Sequence, residues 1–298
     1  MRVLVLGAAG MLGHKVAQVL RQREHAVTVT TRQPPSAYAH LGVFDGVRHV
    51  GHVSAEDPDS LRAVVSSSSP EAVVNCIGVV KQLQSAKQAV PSIRVNALLP
   101  HQLEVLCQDA DSRLIHVSTD CVFSGERGHY TEDDRPDAGD LYGRSKALGE
   151  VVGPSSLTLR TSIIGRELAA TTGLVEWFLS QPGPEVPGYT RAYFSGLPTL
   201  HLADIIARIL EDHPHLSGLH HVGGPRIAKY DLLQLVAAAY GRAVRLVPDD
   251  QLVIDRSLDS SKLWSRLQDS PLSWKQMVQE MVLDPSPYGH WRAPDSAR

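Results

Sequence analysis

The sequence has few of the features that mark secreted, membrane-spanning or nucleic-acid-binding proteins. Its 298 residues include only three cysteines, Cys76, Cys107 and Cys121, and no CxxC pair. A disulfide framework is therefore not expected, and a reducing compartment is. The formal net charge of −3 at pH 7 argues against a nucleic-acid or anionic-membrane partner. Because no run of about 18 apolar residues occurs, we also expect no transmembrane helix.

A leader peptide and a metal centre are not expected either. The apolar run Val3-Leu4-Val5-Leu6 near the start is too short for the core of a secretory signal, so we predict a soluble, cytoplasmic protein. The fourteen histidines are scattered along the chain, and the cluster between residues 213 and 221 lacks the ligand spacing of a metal site. The metal prediction is therefore none.

Strand-like and helix-like segments alternate over the first 160 residues. Apolar runs predict strands over Arg2–Leu6, Ala26–Thr31, Val47–Val50, Ala72–Asn75, Arg113–Val117 and Leu157–Leu159. Helical spacing predicts helices over Met11–Arg21, Asp57–Val65, Ile93–Cys107 with a kink at Pro100, Tyr142–Val151, Leu202–Leu210 and Asp231–Tyr240. This alternation predicts an α/β fold, a Rossmann-type doubly wound parallel sheet covered by helices on both faces. From about residue 161 the alternation loosens, and the tail past Pro285 is expected to be irregular.

A glycine-rich turn follows the first predicted strand. Gly7, Gly10 and Gly13 stand in GxxGxxG spacing, with Met11 and Leu12 between the last two. Such a turn lets the backbone approach a pyrophosphate, while the N-terminus of the next helix offers free N–H groups. We expect these five residues to bind a dinucleotide.

The end of the second predicted strand bears on the choice of cofactor. An acidic residue there would accept the ribose 2′-hydroxyl of NAD, but the residues are Thr30, Thr31 and Arg32. An arginine at this position suits a 2′-phosphate through charge-assisted hydrogen bonds. NADP(H) is therefore the preferred cofactor and NAD(H) the alternative.

A tyrosine and a lysine are spaced one helical turn apart. Tyr142 and Lys146 form a YxxxK pattern, which places both side chains on one helix face. An ammonium beside a phenol is expected to lower the tyrosine pKa, so that Tyr142 can exchange a proton with a developing alkoxide. Thr119 follows the fifth predicted strand, where ligand crevices of open α/β sheets lie, and its hydroxyl can contact a substrate carbonyl.

These motifs together resemble those of the extended short-chain dehydrogenases, and within them the dTDP-4-dehydrorhamnose reductase family. The matching segments follow the family's order over nearly the whole chain. They are GAAGMLG at 7–13, NCIG at 75–78, Asn96 in VNALLP, STDCVFSG at 118–125, YGRSKALGE at 142–150, LRTSIIG at 159–165, LPTLHLADI at 197–205 and SLDSSKL at 257–263.

The resemblance implies roles that the residue spacing alone does not. Thr119, Tyr142 and Lys146 would be the catalytic triad, and Asn75, Cys76, Ile77 and Gly78 would line the nicotinamide side together with Tyr142 and Lys146. The implied domains are a cofactor-binding Rossmann domain at 1–160, with a return segment near 195–215, and a smaller, discontinuous substrate-binding domain at 161–298. The implied reaction is reduction of the 4-keto group of a nucleotide-activated 4-keto-6-deoxysugar.

Three positions depart from the family pattern. His52 stands where an Asp near the adenine is common, which puts the adenine contact in doubt. Cys121 lies two residues after Thr119, the offset at which GDP-fucose synthases resembling this chain carry a working cysteine. The companion histidine is replaced by Arg166 and Glu167. Because Asp120 is followed by Cys121 rather than Glu, the base for a 4,6-dehydratase elimination is missing.

Substrate contacts are predicted by residue type. A sugar-nucleotide diphosphate calls for cations, and the candidates are Lys81, Arg160, Arg166 and Arg191, while Trp177, Phe178 and Tyr193 could stack on a base or sugar. Thr119, Asp120 and Cys121 would face the sugar.

Three functional hypotheses remain at this stage. The first is a sugar-nucleotide 4-ketoreductase, the second a bifunctional epimerase-reductase that uses Cys121, and the third a non-catalytic NADP-binding regulatory subunit. The partner is a nucleotide sugar, with no nucleic acid and no membrane. A homodimer is expected only by analogy with the family.

Overall fold

The computed structural model describes residues 1–79, 88–168 and 171–291. The strands are β1 Arg2–Leu6, β2 Ala26–Thr30, β3 Arg48–Val50, β4 Ala72–Asn75, β5 Arg113–Val117, β6 Ser156–Arg160, β7 Ile163–Ile164, β8 Glu185–Tyr189, β9 Ala192–Phe194, β10 Leu197–Pro198, β11 Gly218–His221, β12 Ile227–Ala228, β13 Arg245–Asp249 and β14 Ile254–Asp255. The α-helices are α1 Gly13–Gln22, α2 Pro58–Ser68, α3 Ala89–Ser92, α4 Leu99–Asp109, α5 Leu141–Leu148, α6 Leu174–Leu179, α7 Thr199–Asp212, α8 Lys229–Ala239, α9 Ser261–Leu267, α10 Trp274–Leu283 and α11 Tyr288–Trp291.

Seven parallel strands form the main sheet, in the order β11-β6-β5-β4-β1-β2-β3. Side chains of β1 alternate between two cores: Val3 and Val5 pack in the cluster that includes α1 and α7, whereas Leu4 and Leu6 pack in the cluster that includes α2 and α4. Because a strand buried on both faces must be apolar throughout, β1 shows no polar alternation. The predicted Rossmann-type sheet, covered on both faces, is confirmed.

The C-terminal part of the chain supplies two elements to this sheet region. Helix α7 packs against α1, and β11 pairs with β6 as the edge strand. The return to the sheet therefore continues past residue 215, the end of the segment expected from the sequence. The other described strands that follow β6 form three small sheets, β10-β7, β12-β9-β14 and β13-β8.

Two local predictions were wrong. In place of the single helix expected over Ile93–Cys107, a π-helical segment, Ile93–Leu98, follows α3 and leads into α4. Pro100 lies in the first turn of α4, where a missing N–H costs little. In the tail past Pro285, expected to be irregular, the described residues Tyr288–Trp291 form α11, and Tyr288 packs against His14 of α1. Among the described helices, none combines the length and the apolar character needed to cross a bilayer.

Candidate active site

The glycine-rich turn has the geometry that a bound dinucleotide requires. Gly7 adopts a left-handed backbone with φ +76°, and a Cβ on Gly13 would lie 2.3 Å from the Gly7 carbonyl oxygen. The third glycine therefore allows α1 to start directly against the end of β1. No side chain caps the start of the ten-residue helix α1, and in its first turn the His14 N–H donates to the Gly10 carbonyl at 3.4 Å. A helix start without a side-chain cap can offer its other N–H groups to phosphate oxygens. These residues fit a dinucleotide, and Gly7, Gly10, Met11, Leu12 and Gly13 would hold its pyrophosphate.

Arg32 and His52 lie near the end of β2, on the side of the turn where an adenosine would extend. Arg32 is exposed and close enough to Tyr38 to oppose the rise in its phenol pKa that burial causes. His52 is also exposed, and its backbone is left-handed with φ 58°. An exposed arginine at this position is available to bind a phosphate.

Asn75, the last residue of β4, is hydrogen-bonded to the loop that follows this strand. Its side chain is fully buried, accepts a hydrogen bond from the Ile77 N–H at 3.0 Å and lies 3.1 Å from Nδ1 of His116. Burial lowers the His116 pKa well below its usual value, so the imidazole is neutral and Nδ1 can accept from the Asn75 amide. The Asn75 side chain is thus engaged inside the protein, and the lining of the nicotinamide side by Asn75, Cys76, Ile77 and Gly78 stays a prediction.

Asn96 hydrogen-bonds Val79, in the described part of the same loop. Its Oδ1 accepts from the Val79 N–H at 2.9 Å, and its Nδ2 lies 3.2 Å from the Val79 carbonyl and 3.3 Å from Oγ of Ser145. The residue sits in the π-helical segment, a backbone form that often marks functional sites. The loop after β4 and helix α5 are thereby joined through one buried amide.

The end of β5 presents Thr119 at the start of a short 3₁₀ turn. The Thr119 hydroxyl accepts from the Cys121 N–H at 3.1 Å and lies 3.2 Å from Oδ1 of Asp120. Both Thr119 and Asp120 are largely buried. The turn that fixes Thr119 is local, which explains why a Ser/Thr/Asp cluster in the sequence could indicate it.

Helix α5 brings Tyr142 and Lys146 to the same edge. Asp140 caps the helix by accepting from the Gly143 N–H at 2.7 Å. A Cβ on Gly143 would lie 2.1 Å from the Cys121 carbonyl oxygen, and one on Gly149 would lie 2.0 Å from the Asn96 carbonyl oxygen. The two glycines let α5 pack directly on the Thr119 turn and on the π-helical segment. The predicted triad is thus brought together by backbone contact.

Lys146 is buried and has no carboxylate partner among its described hydrogen bonds. Its ammonium donates to the Val117 carbonyl at 2.8 Å. Burial lowers the Lys146 pKa to about 8, while Glu150 and Cys76 act in the opposite direction. The Cys76 thiol is raised to a pKa of about 12 by burial, so it stays neutral beside the ammonium. Lys146 is therefore a cation that can change its protonation state near neutral pH.

The expected lowering of the Tyr142 pKa is not observed. Burial of the phenol raises its pKa above the usual value, and the neighbouring Cys121 and Asp120 add to the rise. The Thr119 side chain, within hydrogen-bonding range of the phenol, opposes it. The prediction failed because it counted the nearby cation and not the burial. A neutral phenol is the proton-donating form, which suits reduction of a carbonyl.

Arg160 does not serve as the predicted substrate cation. It is only 3% exposed and forms a bidentate ion pair with Glu150, with both N–O distances at 2.7 Å. Its remaining nitrogen lies 3.3 Å from His221, and its guanidinium lies over the Phe123 ring. Because its donors are engaged inside the protein, Arg160 cannot also bind an incoming diphosphate.

Two cations that the sequence reasoning missed lie near Asp120 instead. Burial raises the Asp120 pKa, and Arg256 and Lys229 are close enough to oppose that rise. The Arg256 guanidinium donates to the carbonyls of Phe123 and Ser124, which fixes it beside the Thr119 turn. Arg256 directly precedes the SLDSSKL motif at 257–263, and that motif is the sequence signal that could have pointed to Arg256.

The other predicted substrate residues are spread over the C-terminal part. Phe178 is fully buried in the core, and Arg166 pairs with Glu176, so neither is open to a ligand. Arg191 is exposed in the turn between β8 and β9, Trp177 is half-buried against the main core, and Tyr193 lies under Arg226. Lys81 lies outside the described residues. Contacts of Arg191, Trp177, Tyr193 and Cys121 with a substrate stay predictions.

The parallel sheet, the glycine-rich turn at the end of β1 and the Tyr142/Lys146 pair on α5 define a nicotinamide-dinucleotide-binding protein of the short-chain dehydrogenase class. A family model described as the RmlD substrate binding domain matches residues 1–289. The chain belongs to this family, which confirms the resemblance found in the sequence.

Two of the curated proteins similar to this chain carry reductase names. The chain is 32% identical over 200 residues to a probable low-salt glycan biosynthesis reductase of Haloferax volcanii, covering 64% of each protein. It is 30% identical over 249 residues to a probable dTDP-4,6-dihydroxy-2-methyloxan-3-one 4-ketoreductase of Streptomyces antibioticus, covering 79% of this chain and 76% of the relative. The aligned part spans less than two thirds of the first of these relatives.

A solved structure shares the whole architecture. The dTDP-4-dehydrorhamnose reductase of Bacillus anthracis, in complex with NADP, superposes with a TM-score of 0.78 at 20% identity, covering 95% of this chain and 99% of that one. At 20% identity, this similarity shows that the two chains share a fold.

Proposed function

We propose that this protein reduces the 4-keto group of a nucleotide-activated 4-keto-6-deoxysugar with NADPH, in deoxysugar biosynthesis. One observation supports the proposal: the Tyr142 phenol lies within hydrogen-bonding range of Thr119, and the Lys146 ammonium donates to the Val117 carbonyl at the end of β5. The names of the Haloferax and Streptomyces relatives support the same class of reaction.

The residues present can perform the protein's part of this reaction. NADPH, when bound, supplies the hydride to the carbonyl carbon. Tyr142, neutral because burial raises its pKa, donates its proton to the carbonyl oxygen, and Thr119 donates a hydrogen bond to the same oxygen. The Lys146 ammonium stabilises the phenolate left on Tyr142 and can return a proton to it.

NADPH is proposed over NADH on the basis of Arg32. The side chain is exposed at the end of β2, where the ribose 2′-position of a bound dinucleotide lies in this class of fold. A 2′-phosphate would gain a charge-assisted hydrogen bond there, and these contribute about 1.5–3 kcal/mol. Arg32→Ala should therefore lower the preference for NADPH over NADH by about tenfold or more, whereas an unchanged preference would remove the arginine from the argument.

The reaction is tested by NADPH oxidation with a panel of NDP-4-keto-6-deoxysugars. The wild type should oxidise NADPH with at least one member, and Tyr142→Phe should not, although it still binds NADPH. Equal inertness of both proteins with retained binding would favour the alternative, a non-catalytic binding subunit. Deuterium uptake from solvent at carbons 3 and 5 that depends on Cys121 would favour the coupled epimerase-reductase.

We also propose a homodimer formed through the helices beside the active site. Large apolar side chains are exposed on α3, the π-helical segment, α4 and α5, which adjoin one another. They are Val90, Ile93, Leu98, Val105 and Leu148. Exposed large apolar side chains on adjoining helices are typical of an interface. Light scattering should give twice the monomer mass for the wild type and the monomer mass for Leu148→Glu.

A further inference from the structure

The C-terminal segment Asp284–Trp291 packs onto the first helix directly behind the glycine-rich turn. Tyr288 is 3% exposed, and its ring packs edge-on against both His14 and Trp291. The Arg166 guanidinium covers the same ring at 5.0 Å from its centroid. Residues more than 270 positions apart in the sequence therefore share one buried cluster.

A second contact ties the start of this segment to α1. Lys15 and Asp284 form an ion pair at 2.5 Å, with side chains only 4% and 7% exposed. The Lys15 ammonium also donates to Ser286 Oγ and Gln18 Oε1, each at 2.8 Å. A buried, fully hydrogen-bonded ion pair fixes geometry even where its net stabilisation is small. The segment is thus held at one defined position on α1.

A hydrogen-bonded chain leads from Tyr288 to the turn itself. Nδ1 of His14 lies 2.9 Å from the Gly10 carbonyl oxygen, and Nε2 lies 2.8 Å from the Tyr288 hydroxyl. A carbonyl can only accept, so Nδ1 carries the proton, and Nε2 pairs with the Tyr288 hydroxyl. His14 is completely buried, so water does not replace either bond.

This chain acts on the peptide group that faces the cofactor side. The Gly10 carbonyl and the Met11 N–H belong to one planar trans peptide and point in opposite directions. A carbonyl held toward α1 by His14 therefore directs the Met11 N–H outward, to the position where the helix N-terminus offers donors to a phosphate. The rotation of this peptide sets one donor of the pyrophosphate site.

We propose that Tyr288 is a positioning residue for the dinucleotide site, acting through His14 on the Gly10–Met11 peptide, so that the C-terminal segment tunes cofactor affinity. This inference rests on the proposed binding of NADPH. It assigns a function to a segment that the sequence predicted to be irregular, and it requires no contact between Tyr288 and the cofactor.

The test compares two tyrosines of the same cluster by calorimetric titration with NADPH. Tyr288→Phe removes the hydroxyl that bonds His14 and lies within hydrogen-bonding range of Ser286. It should weaken NADPH binding about fivefold, the effect of one net hydrogen bond. Tyr240→Phe is the matched control, because Tyr240 also lies under Arg166 but its hydroxyl pairs with Arg166 and the Met281 carbonyl and not with His14. It should change the Kd less than twofold. Urea unfolding of both variants shows whether their stabilities fall equally.

A His14→Ala background separates positioning from packing. If Tyr288 acts through His14, Tyr288→Phe should cause no further loss of NADPH affinity in that background. Additive losses, a wild-type Kd for Tyr288→Phe, or equal weakening by Tyr240→Phe would each overturn the inference. Failure of the wild type itself to bind NADPH would instead overturn the proposed function and this inference with it.

Discussion

Two buried cations at adjacent strand ends show how similar side chains come to different roles. Lys146 lies beside the end of β5 and donates to a backbone carbonyl, and burial lowers its pKa to about 8. Arg160 ends β6 and forms a bidentate pair with Glu150, whose Oε1 also accepts from Ser118 Oγ at 2.8 Å. A buried cation that is paired with a carboxylate stabilises the fold and stays charged. A buried cation without such a pair has a lowered pKa, so it can gain or lose a proton during a reaction.

The largest expected difference between the two positions is in the rate. Lys146→Met should lower kcat by about 10²- to 10⁴-fold, because the phenolate formed on Tyr142 loses its cation. Steady-state kinetics with saturating NADPH measures this loss. The free energy of unfolding should change little, because the ammonium is already penalised by burial. A large loss of stability without a loss of kcat would reverse the comparison.

Arg160 should behave in the opposite way. Arg160→Met leaves the Glu150 carboxylate buried without its partner, which destabilises the fold by about 3–5 kcal/mol. Urea denaturation gives this value. As the matched control, Arg160→Met combined with Glu150→Met should recover most of the loss, since no unpaired charge remains. If the single variant unfolds like the wild type, or if its main defect is a raised KM for the sugar nucleotide, Arg160 belongs to the substrate site after all.

The pH dependence of reduction should show the smallest of the three effects and report Lys146 directly. The useful form is the ammonium, which is present below the pKa, so the rate should fall as pH rises through about 8. A pH profile of kcat measures the falling limb. Lys146→Arg should show no fall near pH 8, because a guanidinium does not titrate there. If kcat of the wild type stays constant up to about pH 9.5, the assignment of the falling limb to Lys146 is contradicted.

Most of the fold could be predicted because its signals are local. The apolar runs of β1 and β4, the glycines of the turn and the i, i+4 spacing of Tyr142 and Lys146 each depend on a few consecutive residues. The predictions failed where a distant segment decided the outcome. The sequence did not indicate that His116, from the neighbouring strand, engages the Asn75 side chain. Asn96 was seen only as part of a motif, because its role depends on the loop after β4.

The sequence by itself determined the class of fold and the family, and it predicted which groups bind a dinucleotide and move a proton. Only the tertiary structure decided which buried charges are paired, the direction in which the Tyr142 pKa shifts, and the contact between Tyr288 and the first helix. The physical reason is that propensity and periodicity act over neighbouring residues, whereas burial and hydrogen-bond partners depend on segments as far apart as His14 and Tyr288.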